Sequence, residues 1–137
     1  MVDDVFSFAV RIYYEDTDAA GIVYYANYLR FMERARTEWL RQAGFEISDL
    51  VAREQLLLAV RSVQIDYVQP ARLNDYLSVS ATIERLGHAS IVLQQNIIRE
   101  QTLLCSGQIK LACLDAVSLS AKRMPTLLYT RLKEWLD

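Results

Sequence analysis

Partway along this chain apolar residues change from a helical period to a period of two, and that change limits what it can fold into. In "NYLRFMERARTEWLRQA", from about Asn27 to Ala43, the apolar positions Tyr28, Phe31, Met32, Ala35, Trp39 and Ala43 follow the i, i+3, i+4, i+7 spacing of one helical stripe. Arg30, Arg34, Thr37 and Arg41 fall on the opposite side. From about residue 56 the period is two. Val63, Ile65 and Tyr67 alternate with Gln64 and Asp66, and then Leu77, Val79, Ala81 and Ile83 alternate with Ser78, Ser80, Thr82 and Glu84. A Gly87-His88 turn leads into "ASIVLQQNIIR", and the polar "REQT" leads into "LLCSGQIKLACL". Three strands of about 11 residues joined by short turns predict an antiparallel meander, with strands longer than the usual five or six residues. An earlier strand is expected over residues 6–14, "FSFAVRIYY", and a short terminal helix begins at Pro125. The expected class is α+β, one long helix against a five-stranded antiparallel sheet. That helix can cover only one side. Val92 and Ile98, on the other parity, are still apolar, which predicts a second surface buried by another subunit.

The composition fits an ordered chain and narrows its partners. Of 137 residues, 53% are hydrophobic and 23% charged, with only four glycines and two prolines. No repeat, linker or shift in composition divides the chain, so one domain over residues 1–137 is expected, large enough for a real core. A formal charge of −2 argues against nucleic-acid binding, which calls for a basic surplus. No apolar run approaches the roughly 20 residues of a membrane-spanning helix. The opening "MVDDVFSFAV" carries two aspartates where a secretory leader carries Lys or Arg, so a cytoplasmic protein is expected. Cys105 and Cys113 share one predicted strand and lie about 26 Å apart at 3.3 Å per residue. A disulfide needs Cα atoms within about 7 Å, so they cannot pair with each other. Their parity places them on one face with Leu103, Ile109 and Leu111, as buried apolar thiols. With a single histidine, no zinc site is expected.

The chemistry concentrates in "YYEDTDAAGIVYYANYLRFMERARTEWL", residues 13 to 40. Glu15, Asp16 and Asp18 sit in one short turn that runs into a tyrosine-rich apolar segment and then the helix. A solvent loop needs no such surroundings, whereas a catalytic carboxylate does. A helix N-terminus favours developing negative charge, and Tyr25 to Tyr28 can present unpaired N–H groups there. Gly21 permits a close turn, and Gly44 can end the helix in the left-handed conformation. Asn27 reads as a helix cap or as a substrate ligand. From the residues alone, Asp18 is either a loop acid or a reacting group.

That 28-residue stretch resembles the signature of hotdog-fold acyl-CoA thioesterases of the 4-hydroxybenzoyl-CoA thioesterase type, and within it the Tol–Pal-associated acyl-CoA thioesterases. The similarity continues through "VQIDYVQPARLND" and weakens only after about residue 115. It implies a hotdog fold, in which a curved five-stranded antiparallel sheet wraps the long helix. It also implies that two subunits join their sheets edge to edge, with active sites at the interface, as a dimer or a dimer of dimers (a homotetramer). The family pattern puts the catalytic carboxylate on Asp18, as nucleophile or as base for water, and Tyr25 at the helix start where the thioester carbonyl is polarised. Glu15 and Asp16 are left as turn acids. Tyr24 and Asn27 become pocket candidates, and so do Val60 and Arg61, where the family's second strand borders the thioester. His88 falls in a turn that reaches the coenzyme A nucleotide in related enzymes, with only Arg85 as a basic neighbour. One departure stands out: Tol–Pal-type relatives commonly have His at the position of Tyr25, "VYH" where this chain has "VYY".

The resemblance therefore implies a thioesterase that hydrolyses an acyl-CoA, or an acyl chain on acyl carrier protein, to free acid and thiol. Coenzyme A is part of the substrate, and no cofactor is expected. Two other classes compete with this reading. A hotdog dehydratase would use a His with an acid, and no His lies near the helix. A non-catalytic acyl-thioester-binding or scaffold subunit of an envelope or lipid system has no need for a buried acid, as Asp18 is expected to be.

Overall fold

The structure, a computed structural model, describes residues 5–136. Asp3 and Asp4, which carry the leader argument, lie outside the described residues. The elements are β1 (Phe6–Arg11), a 3-10 turn (Tyr14–Asp16), α1 (Asn27–Gln42), α2 (Ile47–Glu54), β2 (Leu56–Tyr67), β3 (Tyr76–Leu86), β4 (Ser90–Arg99), β5 (Thr102–Asp115) and α3 (Thr126–Leu136). The five strands form one antiparallel sheet in the order β1-β3-β4-β5-β2. The predicted meander is therefore its centre, and β1 and β2 are its edges. No helix among the described residues is long and apolar enough to cross a membrane.

The helix forms where its stripe predicts and buries that stripe. Tyr28, Phe31, Met32, Ala35, Trp39 and Ala43 are all 3% exposed or less, against the inner faces of the central strands. Gly44, at φ +98, ends it as expected. Its N–H donates to Arg41 O and the Phe45 N–H to Leu40 O, the paired bonds of a Schellman motif. A buried polar group ties helix to sheet. The Gln95 amide, 0% exposed, donates to Met32 O and Ser80 O and accepts from the Arg36 guanidinium. α2 follows at once and packs against β2, an element the sequence reading left unassigned.

Four expectations need correction. β1 ends at Arg11 rather than residue 14, because the Asp16 carboxylate accepts the Tyr13 N–H at 2.8 Å and draws the chain into the 3-10 turn. Asn27 does not cap α1: Ala26 takes the cap position in a helical conformation, which leaves Asn27 inside the first turn. On β5, Leu104 turns inward instead of Leu103, because a bulge pairs Ile97 with Cys105 but Ile98 with Leu103. Cys105 and Cys113 are buried as expected, and burial pushes their thiols up to about 12 and about 11. Finally, Val92 and Ile98 do lie on the outer sheet face, half-buried, but the centre between them is polar. Gln94 donates to Asn96 and Ser106, and Ser80 accepts the Asn96 N–H, making a hydrogen-bonded amide and hydroxyl patch.

A further uncovered apolar surface lies on the inner face. α1 packs on β3 and β1 and meets the second half of β2 only through Tyr28, whose ring lies 5.5 Å from that of Tyr67. Val60, Val63 and Tyr67 point to the helix side of the sheet, yet they are 49%, 37% and 45% exposed.

Candidate active site

The acidic stretch folds into a tight hairpin. Asp16 O accepts the Tyr24 N–H at 3.0 Å, Thr17 bridges Val23, and the Asp18 N–H donates to Ile22 O at 2.9 Å. The turn closes with the Gly21 N–H on Asp18 O at 3.0 Å, with Gly21 at φ +80, where a side chain would be strained. Asp18 thus stands at the hairpin tip. Its Oδ1 accepts the Ala20 N–H at 2.8 Å, and its other oxygen has no partner among the described residues. Contrary to the expectation of a buried acid, the carboxylate is exposed in the single chain, because it stands at a hairpin tip whose neighbours Ala19 and Ala20 are exposed too.

Three anchors hold this hairpin on the body. The Val23 N–H donates to Ala71 O at 2.9 Å, Ile22 bridges Arg72, and the Ala71 N–H donates to the buried Tyr28 hydroxyl at 2.9 Å. The "QPARLND" segment is therefore the shelf on which the hairpin rests. The Asn27 side chain adds a strut, its Nδ2 donating to Asp16 O at 3.0 Å. Asp75 stiffens the shelf by accepting from the Arg72 N–H and from Arg99 Nη1, both at 2.8 Å. Burial alone would raise the Asp75 carboxyl. These two donors and the arginine charges hold it below its ordinary value instead.

A lead-in turn precedes α1, and it decides which backbone donors are free. Asn27, Tyr28 and Leu29 donate to Tyr24 O, Tyr25 O and Ala26 O, so two of the four donors expected to be open, those of Asn27 and Tyr28, are occupied. The N–H groups of Tyr25 and Ala26 have no hydrogen-bond partner among the described residues. Two consecutive free donors at a helix start, one residue past the hairpin, form a site for developing negative charge. Aromatic rings wall it. Tyr24 and Tyr25 have centroids 5.0 Å apart, and Tyr67 lies 6.1 Å from Tyr25 and 5.5 Å from Tyr28.

Tyr24, Tyr25 and Asn27 lie at the helix start, and Asp18 stands at the tip of the hairpin that leads into it. The structure does not bring the other candidates there within one chain. Val60 and Arg61 sit at a bulge in β2, with Arg61 the extra residue, roughly 20 Å along the strand from Tyr67. His88 lies at the opposite end of the sheet, after β3, and stacks on Tyr129 of α3 with centroids 4.3 Å apart. Asp16 and Glu15 face a separate groove of about 270 Å³ between β1 and α1, beside Arg11 and Arg34. Tyr67 is the residue that sequence reasoning missed. It was read as one more apolar position of the strand, although a tyrosine there carries a hydroxyl that must find a partner.

Comparison with known proteins adds four findings. A family model described as the thioesterase superfamily matches residues 20–106, beginning just after Asp18. The acyl-CoA thioesterase YbgC of Haemophilus influenzae is 44% identical over 115 residues, covering 84% of this chain and 85% of that protein. The acyl-CoA thioester hydrolase YbgC of Escherichia coli is 38% identical over 131 residues, covering 95% and 97%. Among solved structures, a Bartonella henselae protein described as a probable thioesterase superposes with a TM-score of 0.85 at 32% identity, over 88% of this chain and 99% of that one.

Proposed function

This chain belongs to the thioesterase superfamily, and on that premise we propose that it hydrolyses an acyl-CoA thioester to a free acid and coenzyme A. One observation carries the assignment of roles: an aspartate with a free oxygen stands at the tip of the hairpin that leads into a helix start with two unpartnered N–H groups. The substrate carbonyl oxygen lies against the N–H groups of Tyr25 and Ala26, which stabilise the charge that develops on it. Asp18 then acts through its free oxygen in one of two ways. As nucleophile it attacks the carbonyl carbon and expels the thiolate, leaving an anhydride that water opens. As general base it takes a proton from water, which attacks the same carbon and expels the thiolate.

The tyrosines wall the acyl end, and the open strip of Val60 and Val63 on β2 continues that apolar surface. The same strip, with the unpaired edge of β2, supports assembly into at least a dimer that covers it. A coenzyme A substrate fits a cytoplasmic location. An acyl chain on a carrier protein presents the same thioester and is the second candidate substrate. The dehydratase reading is disfavoured by His88, which stacks on α3 at the far end of the sheet.

The test is release of free thiol from a panel of acyl-CoAs of differing length and shape, with an acyl-carrier thioester included. Turnover of at least one acyl-CoA is expected. A purified, folded protein that binds these thioesters and releases no thiol from any would be the scaffold subunit instead.

A further inference from the structure

One side chain from the edge of the sheet governs where a free donor of α1 points. Tyr67 Oη donates to the Tyr25 carbonyl at 3.2 Å. That carbonyl and the Ala26 N–H belong to one planar trans peptide, so they point in opposite directions and can only turn together. Among the described residues, the other hold on this carbonyl is the Tyr28 N–H at 3.4 Å, a long and weak bond. The regular ladder of α1 begins after this peptide and does not fix it.

Tyr67 itself is well held. It closes β2 opposite Cys105, and the next two N–H groups, of Val68 and Gln69, both donate to Leu104 O at 2.8 and 3.1 Å. Its ring meets Tyr25 edge-on, at 89°. Burial raises its hydroxyl above the ordinary tyrosine value, so it remains a donor at neutral pH.

We infer that Tyr67 is a positioning residue for thioester hydrolysis: by holding the Tyr25 carbonyl, its hydroxyl aims the Ala26 N–H at the substrate's carbonyl oxygen. This rests on the reading of the α1 start as the charge-stabilising site. A donor aimed at charge that develops during reaction lowers the barrier more than it tightens ground-state binding, so the effect belongs in kcat.

The test is Tyr67→Phe, which keeps the ring and removes only the donor. From the modest net worth of a neutral hydrogen bond, kcat should fall about three- to tenfold with KM within about twofold. Losing a charge-stabilising donor outright would cost about a hundredfold or more. A second readout needs no substrate: in ¹⁵N-resolved spectra of the free protein, the Ala26 amide should shift and exchange faster with solvent, with the rest of the fold unchanged. A raised KM at constant kcat would make Tyr67 a substrate contact and overturn the inference. So would an unchanged kcat, or a lowered kcat with the Ala26 amide unmoved. If wild type releases no thiol from any acyl-CoA, the proposed function fails and this inference falls with it. If wild type is active and Tyr67→Phe equals it, only the inference fails.

Discussion

Asp18 and Asp16 are two residues apart, yet their carboxylates have different tasks. Asp16 is consumed by the fold, since it accepts the Tyr13 N–H and starts the 3-10 turn. Asp18 spends one oxygen on the hairpin turn and keeps the other free. In the proposed mechanism Tyr25 contributes its backbone, because its N–H is open while its hydroxyl has no partner among the described residues. Tyr25→Phe is therefore expected to keep activity within about tenfold, the most that one neutral hydrogen bond is worth. No histidine reaches this site within the chain, so kcat/KM measured from pH 5 to 9 should show no limb near 6.5, the ordinary imidazole value. His88→Ala should leave the profile unchanged. A limb near 6.5 that disappears in His88→Ala would bring that residue into the site, through a neighbouring subunit.

At the scale of elements, the loop between β2 and β3 matters more than its length suggests, because it carries the hairpin on Ala71 and Arg72. Asp75 closes that loop. Its carboxyl is held below the ordinary value, so the stability it supplies is present above the unfolded value of about 4 and is lost as pH falls towards the depressed folded value. Asp75→Asn should cost about 1–2 kcal/mol in denaturant unfolding at pH 7 and should flatten the loss of stability that wild type shows below about pH 4. An equal acid response in both proteins would place the linkage on other carboxyl groups. The elements themselves were largely legible in the sequence, because period and length agree over α1 and the β3–β4–β5 meander. What escaped were local departures from period. In "LLLAVRSVQIDY" the inward residues change from even to odd numbers across Arg61, which is a bulge written in the sequence. The bulge that turns Leu104 inward left no such mark, since Leu103 and Leu104 are the same residue. Asn27 looked like a cap because Asn favours that position, but Tyr24 to Ala26 had already begun the turn. Asp18 was legible as a candidate from its motif. The contact between Tyr67 and the Tyr25 carbonyl joins positions 42 residues apart and could not be read from local pattern.

For the whole molecule, the apolar strip along β2 and the exposure of Asp18 point the same way. A carboxylate open to water is poorly placed to exclude it, and the wall missing on that side is the one a second copy would supply. Light scattering should therefore return at least twice the 15.8 kDa chain mass. A fully active monomer would remove the shared wall from the account. The outer face, with its hydrogen-bonded Gln94, Asn96 and Ser106, makes a weaker case for burial than the sequence suggested. The proposed hydrolysis of thioesters through Asp18 is tested most directly by kcat of Asp18→Asn on the best acyl-CoA of the panel. Asn is nearly isosteric and can still accept the Ala20 N–H, but it is neither a nucleophile nor a base. The account expects kcat to fall at least about a hundredfold with circular dichroism unchanged, while Asp16→Asn loses far less. Activity of Asp18→Asn within about threefold of wild type, in a protein of the same fold, would contradict it.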